Sequence, residues 1–372
     1  MNNLFISMMS PYTQMHGTMN YDFMHELCLK SGWKGLVFVA GRDDMVDPPI
    51  TDDVLTLVDL PNGRVSDLNC LPYDQKLQDF MTEVRSRYGK IDNVFFFQDW
   101  HMQRYLKPFI EGAKVHYFVR LLINNMLDSN EKCLQRHPHK KEEVDEQKEY
   151  WKYVKDVELK RIDEAEKVIC ASSTVIDFLM DRYGVDEKFV VIGSYSDKIP
   201  QLPDLTSHND YSLKQLVAPG RNDLQKGIWR LGDSHHFEVF VERDNLKLWG
   251  NRTALGNVLK EDSRPWYERF KEIPFVLFPA IYETRGLLVQ EAMACGKIVF
   301  VAKDSPALCE QVEHGVNGFI VDFDTDWEQQ ISDIINTNNL NNVAATAREQ
   351  ILRLFKENNF RDKLKDYLRG LL

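Results

Sequence analysis

The chain has 372 residues, with 46 Lys and Arg against 57 Asp and Glu, for a formal net charge of −11. That length is more than one hydrophobic core organises, and it predicts two domains. The acidic balance excludes a generic polyanion binder but leaves room for a local basic stripe, and no apolar run reaches the ~18–20 residues of a membrane span.

The opening stretch, MNNLFISMMSPY, lacks the basic start of a signal peptide and reads as a first strand. From there short apolar runs alternate with amphipathic stretches. Strands are predicted at Leu4–Met9, Gly35–Ala40, Val54–Leu60, Asn93–Phe97, Lys114–Val119, Lys167–Ala171 and Phe189–Gly193. Helices are predicted at 20–31, 73–88, 101–111, near 142–165 and at 173–183. Between them, residues 128–161 begin as a basic, histidine-bearing loop and continue as a highly charged helix. That helix reads either as a solvated face with i,i+4 charge pairs or as an insertion that meets an acceptor through Arg136, His137, His139, Lys140 and Lys141.

Residues 194–211, SYSDKIPQLPDLTSHNDY, break the pattern with two prolines and many polar residues and read as a linker. A second series follows: Ser212–Ala218, Glu238–Val241, Leu246–Trp249, Phe275–Phe278, Ile298–Ala302 and Phe319–Val321. The tail from about 341 to 370 reads as helical, and the acidic DTD at 324–326 as a helix cap. Such β-α alternation predicts parallel sheets covered on both faces. The expected division is 1–195, an N-terminal Rossmann-like domain; 196–211, the linker; 212–340, a C-terminal Rossmann-like domain; and 341–372, a helical tail.

Cys28, Cys70, Cys133, Cys170, Cys295 and Cys309 form no C-x-x-C pair and no zinc-like cluster. Dispersed thiols in a long chain read as small core residues in a reduced, cytoplasmic setting.

The chemistry concentrates in two blocks. ETRGLLVQEAMACGK, residues 283–297, follows a buried-strand signal, PFVLFP. Open α/β sheets bind ligands outside the C-terminal ends of their strands, where helix N-termini offer free N–H groups. Glu283 before that helix and Glu291 inside it are placed to read hydroxyls on two parts of one ligand. Gly286 would let the ligand approach the backbone. In VAPGRNDLQKGIWRL, residues 217–231, Arg221 and Lys226 can offset a diphosphate without a metal ion. Each block alone reads equally as exposed charge at a turn; the two in this order are far more specific.

G-R-x4-K-G, then E-x7-E-A-M-A-C-G, then HGVNGFIVDF (314–323) resembles the family-4, GT-B-fold retaining glycosyltransferases over roughly the last 160 residues. The resemblance implies an α/β, GT-B architecture of two Rossmann-like domains facing each other across a cleft. It implies a nucleotide-sugar donor, UDP-sugar being the family's commonest, used as co-substrate with no cofactor and no metal. Arg221 and Lys226 would hold the diphosphate, and Glu283 and Glu291 the donor sugar and the ribose. The amides of Arg285, Gly286, Leu287 and Leu288 would lie near sugar and phosphates. Where the family has a glycine-rich loop after the first strand, SPYTQMHGTMNY carries only Gly17, the donor-side position there. The family's Gly-Gly after EAMACG is replaced by KDSPALCE.

On the acceptor side, the family's histidine near the reacting carbon falls on Arg120, with His116 four residues earlier inside a predicted strand. QDWH, residues 98–101, resembles the family's H-D-W-H with Gln98 in place of histidine, which makes Asp99 and His101 candidates. The catalytic set implied is thus Arg120, His116, Asp99, His101 and Glu283, although His116 reads more readily as a core or edge histidine. LKLWGNR (246–252) and GRNDLQKGIWRL are similar to the T-even phage α-glucosyltransferases that modify 5-hydroxymethylcytosine in DNA. Hydroxymethylated double-stranded DNA is therefore an expected partner, touched through Arg136, His137, Lys140 and Lys141, in host cytoplasm if the chain is phage-encoded. The alternative acceptor is a bacterial surface polysaccharide or a lipid-linked glycan. A silent nucleotide-sugar binder and an epimerase are further alternatives, separable by whether sugar is transferred.

Overall fold

The computed structural model describes residues 3–7, 35–40, 55–60, 82, 86, 89–97, 111–119, 123–136, 138, 141–183, 187–193, 195–196, 198–219, 226–231, 235–241, 264–283, 285–358 and 360–370. The first strands are β1 (Asn3–Ser7), β2 (Gly35–Ala40), β3 (Leu55–Leu60), β4 (Asn93–Phe97) and β5 (Lys114–Val119). Helices α1 (Ile123–Arg136) and α2 (Lys141–Glu164) precede β6 (Lys167–Cys170), α3 (Ser173–Tyr183) and β7 (Phe189–Val191). Then come β8 (Gln215–Ala218), β9 (Glu238–Val241), α4 (Trp266–Arg269), β10 (Phe275–Phe278), α5 (Leu287–Ala294), β11 (Ile298–Ala302), α6 (Pro306–Cys309) and β12 (Phe319–Val321). Three helices close the chain: α7 (Trp327–Thr337), α8 (Leu340–Glu357) and α9 (Phe360–Arg369). The predicted strand Leu246–Trp249, the predicted helix 20–31 and all but the last residue of the predicted helix 101–111 lie outside the described residues. Of the described helices, none is long and apolar enough to cross a membrane.

The chain divides into two compact units. The first comprises Met1–Leu121, Val154–Gly193 and Phe360–Leu372. Its seven strands run in the order β3-β2-β1-β4-β5-β6-β7, all parallel. Val94, Phe95, Tyr117, Phe118, Val168 and Ile169 are buried, the continuous apolar runs that a sheet covered on both faces requires.

The second unit comprises Leu122–Tyr153 and Ser194–Asn359. Its five parallel strands run β12-β11-β10-β8-β9. Adjacent residues of β10 point to opposite cores: Val276 and Phe278 join α5 and the later part of α8, while Phe275 and Leu277 join α7 and the start of α8. Sequential strands reverse direction of travel across the sheet between β8 and β10, so the crevice beyond their C-terminal ends is the topological switch point.

Three differences from the sequence reading bear on the site. Residues 128–136 are not a loop; they belong to α1, which ends at Arg136 just before His137-Pro138, where proline disfavours a continuing helix. The boundary between units falls inside α2, so α1 and the start of α2 group with the second unit, and α9 groups with the first. The stretch read as a linker is packed: Ile199, Leu202 and Leu205 sit in the second unit's core, and the Leu205 N–H donates to the Cys295 carbonyl at 3.0 Å.

Candidate active site

The candidate site is built at the C-terminal end of β10, beside the switch point. After Phe278 the chain leaves the sheet through Pro279–Glu283 and enters α5 by way of Arg285 and Gly286. Against that exit lies the 3-10 turn Ile228–Leu231, preceded by Lys226 and Gly227. Gly227 has φ +69°, and a Cβ there would overlap the Pro279 carbonyl. Only glycine lets this turn press onto the strand exit, and the packing brings the Lys226 ammonium into an ion pair with the Glu283 carboxylate. Two groups 57 positions apart, predicted for one donor, are thus neighbours.

Arg230 locks the turn in place. Its buried guanidinium donates from Nη1 to the Pro279 carbonyl at 3.0 Å and to Asp304 Oδ1 at 2.9 Å, and from Nε to Asp324 Oδ1 at 3.1 Å. Asp304 also accepts from Lys132 of α1 at 2.7 Å. Burial pushes the Asp304 carboxyl up, but Lys132 and Arg230 outweigh it and hold the group below the usual carboxylate value. The sequence reading singles out none of Arg230, Asp304, Asp324 and Lys132 as a site-building residue. Of the DTD segment only Asp326 caps α7, accepting from Gln329 N at 3.1 Å; Asp324 serves Arg230 instead.

The N-terminus of α5 is the third component. Gly286 is its N-cap, left-handed at φ +68°, with no side-chain cap. A Cβ on Gly286 would overlap Leu308, so backbone conformation and packing suffice to explain this glycine, rather than the ligand approach expected from sequence. Val289 N closes the first turn onto Gly286 O at 3.0 Å, leaving the amides of Leu287 and Leu288 ahead of the first intrahelical acceptors. Arg285 lies over the Tyr195 ring at 5.0 Å and 3.5 Å from Glu310.

Glu291 lies inside α5 and is buried. It accepts the Ser196 hydroxyl at 2.7 Å, while the adjacent Gln290 accepts the Ser196 N–H at 3.0 Å. Both hydrogen bonds come from the stretch read as a linker, which fixes the carboxylate's direction.

His116 requires a correction. It stands in the N-terminal half of β5, far from the strand's C-terminal end, stacked on Phe95 with ring centroids 4.5 Å apart. Nε2 meets Asn93 Oδ1 at 3.0 Å and Nδ1 meets the Tyr367 hydroxyl at 3.1 Å. Burial, helped by Lys114 and Lys167, lowers its pKa to about 4. A neutral histidine with both nitrogens engaged in a core is structural, so its catalytic assignment is withdrawn.

Gly17, Asp99, His101, Arg120, His137, Lys140 and Arg221 lie outside the described residues, as does the side chain of Arg136. Lys141 is exposed at the first position of α2. Among the described residues, no group of three or more His, Cys, Asp or Glu could hold a metal ion. The described cysteines Cys133, Cys170 and Cys295 are buried, and Cys309 is partly so.

Residues 232–367 match the family model "Glycosyl transferases group 1". The match begins after Lys226 and includes Glu283 and Glu291. A comparison with curated protein sequences gives no match. Among solved structures, sucrose-phosphate synthase from Thermosynechococcus elongatus is 16% identical with a TM-score of 0.69, covering 100% of this chain and 98% of that one. The Anabaena protein HepE, solved with UDP-glucose, is 16% identical with a TM-score of 0.55 and full coverage of both chains, 100% and 100%. WaaG, a glycosyltransferase involved in lipopolysaccharide biosynthesis, is 13% identical with a TM-score of 0.60, again covering 100% of each. At these identities the likeness establishes the fold. Residues 232–367 are thus similar to group 1 glycosyl transferases, and the fold, two α/β units each built on a parallel sheet, is GT-B.

Proposed function

We propose that this glycosyltransferase moves a sugar from a UDP-sugar to an acceptor hydroxyl with retention of anomeric configuration, and that its donor site is the juncture of Lys226, Glu283 and the N-terminus of α5. The observation that carries the proposal is that a cation, a carboxylate and an uncapped helix start meet at the switch point of one parallel sheet. In transfer, the bond from anomeric carbon to diphosphate oxygen breaks and the diphosphate leaves with the electron pair. The acceptor oxygen forms the new bond and loses its proton. Lys226, the α5 dipole and Arg221 would stabilise charge growing on the diphosphate, which is the task a metal ion performs elsewhere. Glu283 would accept hydrogen bonds from sugar hydroxyls, and Glu291, aimed by Ser196, from the ribose.

For the acceptor we propose the hydroxymethyl oxygen of 5-hydroxymethylcytosine in DNA, with Arg136, His137, Lys140 and Lys141 at the α1–α2 junction contacting phosphate, and Arg120, Asp99 and His101 nearest the reacting atoms. The similarity of LKLWGNR and GRNDLQKGIWRL to the phage enzymes supports this. A second reading, a surface polysaccharide or lipid-linked glycan, is favoured by the net charge of −11 and by the role of WaaG. Mass spectrometry of reactions crossing several nucleotide sugars with hydroxymethylated DNA, plain DNA and lipid-linked glycans tests both. Transfer to the first alone supports the DNA acceptor, transfer to the last alone the second, and transfer to none contradicts both.

A further inference from the structure

The polar interactions of α1 do not stop at solvent, and we propose that Lys132 is a positioning residue for the donor site, acting through Asp304 and Arg230. The inference rests on the donor site proposed above. Lys132 Nζ donates to Asp304 Oδ2 at 2.7 Å; Asp304 Oδ1 accepts from Arg230 Nη1 at 2.9 Å; the same nitrogen holds the Pro279 carbonyl at 3.0 Å. Pro279 is the residue onto which Gly227 presses, and that packing sets Lys226 beside Glu283. A continuous series of hydrogen bonds therefore runs from α1 to the turn that carries the donor lysine.

Apolar packing runs beside the polar series. Cys133 of α1 and Val144 of α2 cluster with Trp229 and Ile281, flanked by Leu134 and Tyr282. Trp229 lies between Gly227 and Arg230 in the turn, and Ile281 lies two residues before Glu283. Both walls of the ion pair are thus backed by the same arm. A helix that served only as a charged, solvated surface would have no reason to pack there.

Magnitude limits what Lys132 does. Arg230 is also held by Asp324, so losing Lys132 leaves the guanidinium paired. What disappears is one of the two cationic partners that orient Asp304, and both members of the 2.7 Å pair are partly exposed, at 40% and 28%. A loss of roughly 3–10-fold in donor affinity is the scale for one such partly screened, charge-assisted bond.

The test uses the full-length chain and calorimetric titration with UDP, ADP, GDP, CDP and TDP, carrying forward whichever diphosphate the wild type binds. Lys132→Met should weaken that binding about 3–10-fold and Lys132→Glu more, since repulsion turns Asp304 away. Lys132→Arg should recover most of the loss. Combining Lys132→Met with Asp304→Asn should weaken binding no further than Asp304→Asn alone, because the two act in series. Wild-type affinity in Lys132→Met, or a lowered melting temperature with unchanged affinity, overturns the proposal and leaves the donor site standing. If the wild type binds no nucleoside diphosphate, the donor site itself fails and this inference with it.

Discussion

The hydroxyl of Ser196 donates a 2.7 Å hydrogen bond to Oε1 of Glu291, joining residues 95 positions apart. The pair is buried, and the same serine donates its N–H to Gln290 at 3.0 Å. Ser196→Ala removes the hydroxyl and leaves a buried carboxylate with one hydrogen bond fewer. The expected cost is about 1.5–3 kcal/mol of stability in urea unfolding, with a raised donor KM and a kcat near wild type, because Glu291 is assigned to binding. A fall in kcat alone would place Glu291 elsewhere.

Gly227 tests how the site is shaped. Alanine at φ +69° is strained by about 1–2 kcal/mol, and its Cβ meets the Pro279 backbone, which cannot rotate away. Gly227→Ala should therefore lower stability by at least that amount and weaken donor binding by displacing Lys226. Unchanged donor affinity in a folded Gly227→Ala protein would show that the turn's position is unimportant.

His116 gives the first unit a defined acid sensitivity. Its folded pKa, lowered by burial and then by Lys114 and Lys167, is about 4 against 6.5 for the free side chain. The unfolded chain thus takes up the proton first as pH falls. Stability from the neutral histidine is complete above pH 6.5, declines between 6.5 and 4, and is gone below, a loss of about 3 kcal/mol. Denaturant unfolding across that window should show the decline in the wild type and a flatter profile in His116→Gln. Equal slopes would contradict the assignment.

Strands β10 and β11, and the described residues of β4, β5 and β6, were legible because successive side chains are buried on both faces, which makes them plain apolar runs such as Phe275–Phe278. That Glu283 stands before α5 and Glu291 inside it was legible through local spacing. α1 was not, because its buried face carries Asn130 and Cys133, which break the apolar period and make 128–136 resemble a polar loop. Arg230 was invisible for a different reason: its partners Pro279, Asp304 and Asp324 stand 49, 74 and 94 positions away. The packing of residues 196–211 against the second unit is masked in the sequence by two prolines, although Ile199, Leu202 and Leu205 at intervals of three are a readable sign of it.

A DNA acceptor carries its own signature in salt. Neutralising Arg136, Lys140 and Lys141 together should raise the apparent constant for hydroxymethylated DNA and leave donor affinity unchanged. The log–log slope against salt should flatten by about one unit for each phosphate-bound cation removed. An unaltered slope would remove this junction from the acceptor surface.

The most direct measurement of the central claim is calorimetric titration of UDP and of UDP-sugars, in chelator, into wild type, Lys226→Ala and Glu283→Ala. The wild type should bind without added metal. Lys226→Ala should weaken both ligands by roughly 10–150-fold, the scale of one charge-assisted hydrogen bond. Glu283→Ala should keep its affinity for UDP but lose the extra affinity that the sugar confers. Wild-type binding of both ligands by both variants, or an absolute requirement for a divalent cation, would contradict the site.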